Sequence, residues 1–558
     1  MRRTLVLGTI LAMIGSAPSV GEDAADLLLR GGVFHTVSPA GRVAGTLAVR
    51  AGRIVYLGAD PKAGNLLGAR TQVIELGGRA VTPGLIDAHS HLLGLGRKLA
   101  EVDLAGTQSF EEVITRLRAK SREAAPGSWI TGRGWDQSRW PENEFPRHAA
   151  LSAAVPDHPV WVRRIDGHAG LANARALAIA GITADTLDPA GGKILRGERG
   201  EPTGVLIDNA MDLVAAHEPA RSDEDFRALL RDAAAACVRV GLTTVTDMGV
   251  GESAIRAYLA AQQAGELPLR AALFLTGDDR PLLASWLGRG PRLDPEFRVM
   301  VRGVKLYSDG AVGSRGAALV EPYNDDAGNL GLLRMSEDDL AEIAARAVER
   351  GFQVAIHAIG DRGNLVSLDA LERAFGGVPR PQARCRIEHA QVMRLQDIER
   401  LARLGVIASM QPTHATSDMR WAEQRLGARR LAGAYAWRKV AAAGGRLALG
   451  SDFPVESEDP RLGLYAAVTR QDEAGDPAGG WLPGERLTRE EALRGFTLDA
   501  AYSLFLEREV GSLEVGKRAD LVVFARDPMA VAEREIPRAE VDYTILDGRV
   551  VYQRQGAP

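Results

Sequence analysis

Eight apolar, strand-like segments, mostly followed by helical patterns, constrain this 558-residue chain more than any other feature. They are "GLIDAHSH" (84–91), "GLTTVTDMG" (241–249), "LRAALFL" (269–275), "VRGVKLYSDG" (301–310), "QVAIHAIGD" (353–361), "RCRIEHAQ" (384–391), "GVIASMQPTH" (405–414) and "GRLALGSDFPV" (445–455). Helical stretches such as "SEDDLAEIAARAVERG" separate them, with Ser336 placed to cap the start and Gly351 to stop the end. Eight strand–helix units predict an α/β fold, a (β/α)8 barrel of the TIM type, over residues 83–504. A large insertion, at about 100–240, separates the first two strands and is expected to lie over the barrel mouth.

Both chain ends read differently. "ADLLLRGGVFHTV" and "TLAVRAGRIVYLG" near the start, and "VGSLEVGKRADLVVFARDP" and "VDYTILDGRVVY" near the finish, alternate apolar and polar residues between Gly-rich turns. They predict short strands. The expectation is one small β-sandwich built from residues 22–82 and 505–558; two unrelated β appendages are the alternative.

The first 21 residues carry Arg2 and Arg3, an apolar run from about Leu5 to Ala17, and then small residues. This is the pattern of a secretory signal peptide, and it predicts export to the periplasm. The run is short for a spanning helix, although a single-pass anchor is the alternative. The paired arginines leave Sec and Tat routes both open. An oxidising compartment raises the question of Cys237 and Cys385, the only cysteines. Their apolar surroundings favour two buried free thiols over a bridge. Hydrophobic residues make up 46%, charged residues 25%, and the net charge is −4. That balance suits a soluble globular protein and argues against nucleic-acid or anionic-membrane partners. The expected partner is a small molecule, with no stable membrane span after processing; a homodimer is left open.

In such a barrel, chemistry sits at the C-terminal ends of the strands. Those ends carry His89 and His91 (strand 1), Lys305 (strand 4), His357 (strand 5), His389 (strand 6), His414 (strand 7) and Asp452 (strand 8). Strand side chains alternate, so His89 and His91 share a face and can hold one ion. Five of the ten histidines at strand ends, together with an aspartate and a lysine, argue for metal. An unmodified lysine ammonium has no lone pair and cannot be a ligand. Its plain alternative is an ion pair with Asp309 or Asp452.

In this order, "VTPGLIDAHSH", "VKLYSDGAVGSRGAAL", "AIHAIGD", "IEHAQ" and "GSDFPV" resemble the amidohydrolase superfamily. They are most similar to its amidohydrolase 3, or YtcJ-like, branch, which includes N-substituted formamide deformylase. The resemblance covers nearly the whole mature chain. It implies a metal-dependent hydrolase acting on carbon–nitrogen bonds other than peptide bonds. It also implies two divalent ions, zinc by preference, with His89, His91 and Asp452 on one and His357 and His389 on the other. Lys305, carboxylated to a carbamate, would bridge them.

The implied mechanism is attack by a metal-activated hydroxide on an amide carbonyl, with Asp452 moving the proton to the leaving nitrogen. His168, in the inserted "DGHAG", and His414 are further catalytic candidates for the developing oxyanion. Arg315 reads either as a partner of Asp309 or a substrate carboxylate, or as an ordinary structural ion pair. Trp129, Trp135, Trp140 and Trp161 read either as an aromatic pocket or as core. A deaminase, a cyclic-amide hydrolase and a non-catalytic metal-binding barrel are the rival readings.

Overall fold

The structure, a computed structural model, describes residues 24–59 and 63–557. The segment read as a signal peptide lies outside the described residues. Among the described residues no helix is long and apolar enough to cross a membrane.

All eight expected barrel strands form, and all their ladders are parallel. In chain order they are Leu85–Ser90, Leu242–Val250, Arg270–Thr276, Val299–Tyr307, Gln353–Ala358, Arg386–His389, Ile407–Met410 and Arg446–Leu449. Each pairs with its neighbours in sequence order. Strand 5 is buried at every position, as expected when helices cover one face and other strands' side chains the other. The helix Glu337–Glu349 shows how the outer layer is built. The Ser336 hydroxyl accepts from Asp339 N at 3.1 Å, while Leu340, Ile343, Ala344 and Ala347 face the core.

Strands 8 and 1 close the circle by side-chain and loop bonds just past strand 8. Ser451 N donates to the Asp87 carboxylate at 3.1 Å and its hydroxyl to the same group at 2.6 Å. Asp452 N donates to His89 O at 2.8 Å. Gly450 permits this approach, since a Cβ there would lie 2.5 Å from Asp87 Oδ1. Burial raises the Asp87 carboxyl to about 7.

The chain ends meet in one continuous eight-stranded sheet. Its order runs Arg549–Gln553, Val541–Leu546, Leu521–Phe524, Ala80–Pro83, Leu27–His35, Arg42–Arg50 and Arg53–Gly58, with Gln72–Glu75 also beside Leu27–His35. Ala80–Pro83 joins the halves by pairing antiparallel with Leu521–Phe524. Leu29, Phe34, Leu47, Val81, Val523 and Ile545 share one core there. Arg270, at the start of barrel strand 3, ties the sheet to the barrel. It bonds both oxygens of Asp520 at 2.7 and 2.9 Å and also reaches Asp547.

Between barrel strands 1 and 2 the chain forms a separate six-stranded sheet, from Val102–Asp103 to Pro202–Asp208. It has its own core, which includes Leu104, Val113, Trp135, Trp140 and Val162. The helix Asp223–Arg239, placed within the insertion by the sequence reading, instead packs Leu230, Ala233, Cys237 and Val238 into the main barrel core. Cys237 and Cys385 are both buried and free.

Trp135, Trp140 and Trp161 of the insertion are core residues, and Trp129 is partly buried against the same core as Trp161. Trp135 is fully buried and donates to Val162 O at 3.1 Å; Trp140 donates to Thr107 O at 3.1 Å. None of the four lines the central cavity. Trp135→Ala should therefore cost about 3–5 kcal/mol of stability, seen as a lower urea midpoint with metal content unchanged. An unchanged midpoint together with altered substrate preference would return Trp135 to the pocket.

Candidate metal centre

The strand ends open into a cavity of about 1040 Å³ at the barrel mouth. His89, His91, Lys305, His357, His389, His414 and Asp452 all line it, and so does His168 from the insertion. His389 and Asp452 stand at positive φ, 72° and 62°. That backbone region is sparsely populated outside glycine and is often held in place at functional sites.

Hydrogen bonds set the tautomers of His89, His91 and His389, and burial disfavours the charged form of His89, His357 and His389. Burial lowers His89 to about 4, and the nearby Lys305 charge adds to this. His89 Nδ1 lies 2.5 Å from Glu388 Oε2. A carboxylate only accepts, so Nδ1–H donates and the Nε2 lone pair is free. His91 repeats the arrangement, with Nδ1 donating to Met248 O at 3.0 Å. The two Nε2 atoms lie 3.5 and 3.2 Å from one oxygen, Oδ1 of Asp452. His389 Nδ1 donates to Gln411 Oε1 at 2.8 Å, and Gln411 Nε2 in turn donates to Ser409 O. Burial also lowers His357 and His389 well below the ordinary imidazole value.

Donor atoms of His89, His389 and Asp452 all fall within 4.8 Å of one another. Asp452 Oδ1 and His414 Nε2 are buried without a hydrogen-bond partner. Neutral imidazoles, an ionised carboxylate and an unsatisfied oxygen suit a divalent cation. Asp452 is held ionised: burial alone would raise its carboxyl, but the neighbouring imidazoles, His89 foremost, hold it well below the usual range.

The rings continue from that group. His357 packs against His389 with centroids 4.6 Å apart, and His168 packs against His357 at 5.0 Å. His168 Nδ1 donates to Asp208 at 2.6 Å. His414 stacks on His389 at 5.7 Å, with Nε2 3.6 Å from Asp452 Oδ2.

Lys305 is buried with its Nζ 3.5 Å from His89 Nε2. Among the described residues it forms no ion pair with Asp309 or Asp452. Asp309 instead accepts from the backbone N–H groups of Ala318, Ile359 and Gly360. Burial brings the Lys305 amine down to about 8, so an uncharged fraction exists near neutral pH. Arg315 takes the plain reading and pairs with Asp325 at 2.8 Å.

The sequence reading missed the groups behind the histidines. Arg386 grips Glu388 through both oxygens, at 2.7 and 2.9 Å, inside the barrel, and Glu388 holds His89. Burial alone would raise Glu388; Arg386 and His89 more than offset it and hold the carboxyl far below its usual range. The available signal was the alternation in "RIEH", which sets two charges on one face of a buried strand. Glu388→Gln should weaken metal binding about 10- to 100-fold, because an amide can also donate and no longer enforces the His89 tautomer. Metal titration of the variant against a competing chelator checks this; unchanged affinity would remove Glu388 from the centre.

A parallel eight-stranded barrel with histidines, a lysine and an aspartate gathered at its C-terminal mouth defines a metal-dependent hydrolase. The chain belongs to the Amidohydrolase family, whose sequence model (Amidohydro_3) matches residues 72–552. It is 36% identical over 542 residues to Protein LONG AFTER FAR-RED 3 of Arabidopsis thaliana, covering 95% of this chain and 92% of that one. It is 30% identical to N-substituted formamide deformylase of Arthrobacter pascens, covering 95% of this chain and 99% of that one. A crystal structure of an uncharacterized metal-dependent hydrolase from Pyrococcus horikoshii superposes with a TM-score of 0.75 at 30% identity. That match covers 91% of this chain and 99% of the other.

Proposed function

We propose that the protein hydrolyses an amide-type, non-peptide carbon–nitrogen bond in a small molecule, using two divalent ions, zinc by preference. His89, His91 and Asp452 would hold one ion, His357 and His389 the other, with carboxylated Lys305 between them. The observation that carries this reading is Lys305: a buried amine among imidazoles, with no ion pair to Asp309 or Asp452. Bound ions supply a water acidic enough to ionise near neutral pH and polarise the carbonyl.

The remaining steps belong to the chain. Asp452, ionised and 3.2 Å from His91 Nε2, accepts the proton of the attacking water and returns it to the leaving nitrogen. Amides need that return, because an amide anion leaves poorly. His414, oriented by its stack on His389, stands to donate to the developing oxyanion, while His168, whose Nδ1–H is committed to Asp208, presents Nε2 to bind the substrate.

A single-ion deaminase is the second reading. It draws on the convergence of His89, His389 and Asp452 alone and leaves Lys305 without a task. Metal analysis and a panel of N-formyl and N-acyl amines separate the two. The expected result is two ions per chain, amide hydrolysis, and loss of both activity and melting temperature after chelation. One ion per chain with ammonia released from an amino-heterocycle favours the deaminase. Equal amide hydrolysis before and after chelation would sink both.

A further inference from the structure

We infer that the cavity contains an anion-binding subsite, built on Arg133 and Arg97, that takes the carboxylate of an acidic amide such as an N-acyl amino acid. This rests on the amide-hydrolase reading above.

Arg133 comes from the inserted strand Ile130–Trp135, and Arg97 from the helix Leu92–Ala100 that follows His91. Both line the cavity. Arg133 makes one side-chain hydrogen bond, Nη2 to Ile165 O at 3.0 Å, and its Nε is buried without a partner. Gly167 lets that loop close on the guanidinium, since a Cβ there would lie 3.0 Å from Nη2. Among the described residues neither Arg133 nor Arg97 has an ion pair.

The nearby acids are already engaged. Glu218 pairs with Arg163 at 2.5 Å and Glu101 with Arg221 at 3.1 Å. Asp136 and Asp166 both hold Arg164, at 2.5 and 2.7 Å. On this wall Glu218 and Glu101 are thus taken up by Arg163 and Arg221, and Asp136 and Asp166 by Arg164, which leaves Arg97 and Arg133 without a carboxylate. Burial, and then the Arg163 charge, lower Arg133 to about 10; an arginine so placed still carries its charge at neutral pH. A half-buried guanidinium whose Nε is cut off from water without a partner is under-satisfied, and a bound carboxylate supplies forked, charge-assisted bonds to it.

The subsite shares the chamber of the metal centre. Arg133 lies close enough to Asp452 to feel its charge. Arg97 is six residues beyond His91 on one helix, or about 9 Å along its axis at 1.5 Å per residue. That span suits a substrate whose scissile amide and carboxylate belong to one small molecule.

The test uses zinc-loaded wild type, Arg133→Met and Arg97→Met with N-formyl-L-phenylalanine and N-formylphenethylamine, which differ by the carboxylate. Calorimetric binding and kcat/KM are measured on both, with melting temperature as the check on folding. We expect wild type to favour the acid. The acid-to-neutral ratio of kcat/KM, and of affinity, should fall about 10- to 100-fold in Arg133→Met, less in Arg97→Met, with partial recovery in Arg133→Lys. Acid binding that is the same in wild type and both Met variants overturns the subsite, and includes the case of a carboxylate bound to metal alone. Loss of acid binding in Arg133→Met without turnover of either compound keeps the subsite and sinks the amide reading instead. Should Arg133→Met fail to fold, Arg97→Met decides on the same ratio.

Discussion

Lys305→Ala should remove at least one metal ion and nearly all activity. The residue lies two positions before the end of barrel strand 4, buried, 3.5 Å from His89 Nε2. Burial lowers the amine to about 8, so the uncharged form that adds carbon dioxide is accessible. A carbamate there would supply an anionic oxygen for each of two ions, and alanine would remove that donor. A small carboxylic acid in the buffer should restore part of the metal content and part of the rate, because it can occupy the same gap. Metal analysis and kinetics, with and without the acid, provide the check. Two ions and a normal rate in the alanine variant would make Lys305 a structural residue.

Asp452→Asn should behave differently. Asn keeps an oxygen toward the centre, and the histidines keep their tautomers through Glu388, Met248 and Gln411. Metal should therefore be partly retained. The amide cannot accept a proton, however, and turnover should fall by at least about 10²-fold, the lower end for loss of a positioned base. The informative quantity is the rate per bound ion, since it separates lost chemistry from lost metal. Full turnover per ion would move the base elsewhere; His414, 3.6 Å from Asp452 Oδ2, is the next group to test.

The barrel and its mouth were legible because they depend on local pattern. Six of the eight strand segments are apolar runs with a candidate site histidine, lysine or aspartate toward the C-terminal end, and alternation sets His89 and His91 toward one point. What stayed hidden depends on contacts between distant strands. Glu388 reads as one acid beside a histidine; only the fold brings it against His89, 299 residues away, with Arg386 behind it. Gln411 reads only as part of the seventh strand segment until the fold brings its amide to His389. The tryptophans stayed undecided for a different reason: large aromatic rings suit a binding pocket and a packed core equally, and their sequence neighbours do not choose between them.

The pairing of Ala80–Pro83 with Leu521–Phe524 sets an order of events during synthesis. Val81 meets Val523, so one edge of the N-terminal half-sheet waits for a strand made about 440 residues later. At 5–20 residues per second, that interval is roughly 20 to 90 s. Throughout it, unpaired N–H and C=O groups of Ala80–Pro83 are open to any other extended chain. The barrel's first strand begins two residues after this edge, so its footing is incomplete for the same period. Loop closure over such a separation is slow, and the last strands to leave the ribosome are the ones that end the nascent chain's exposure to mispairing.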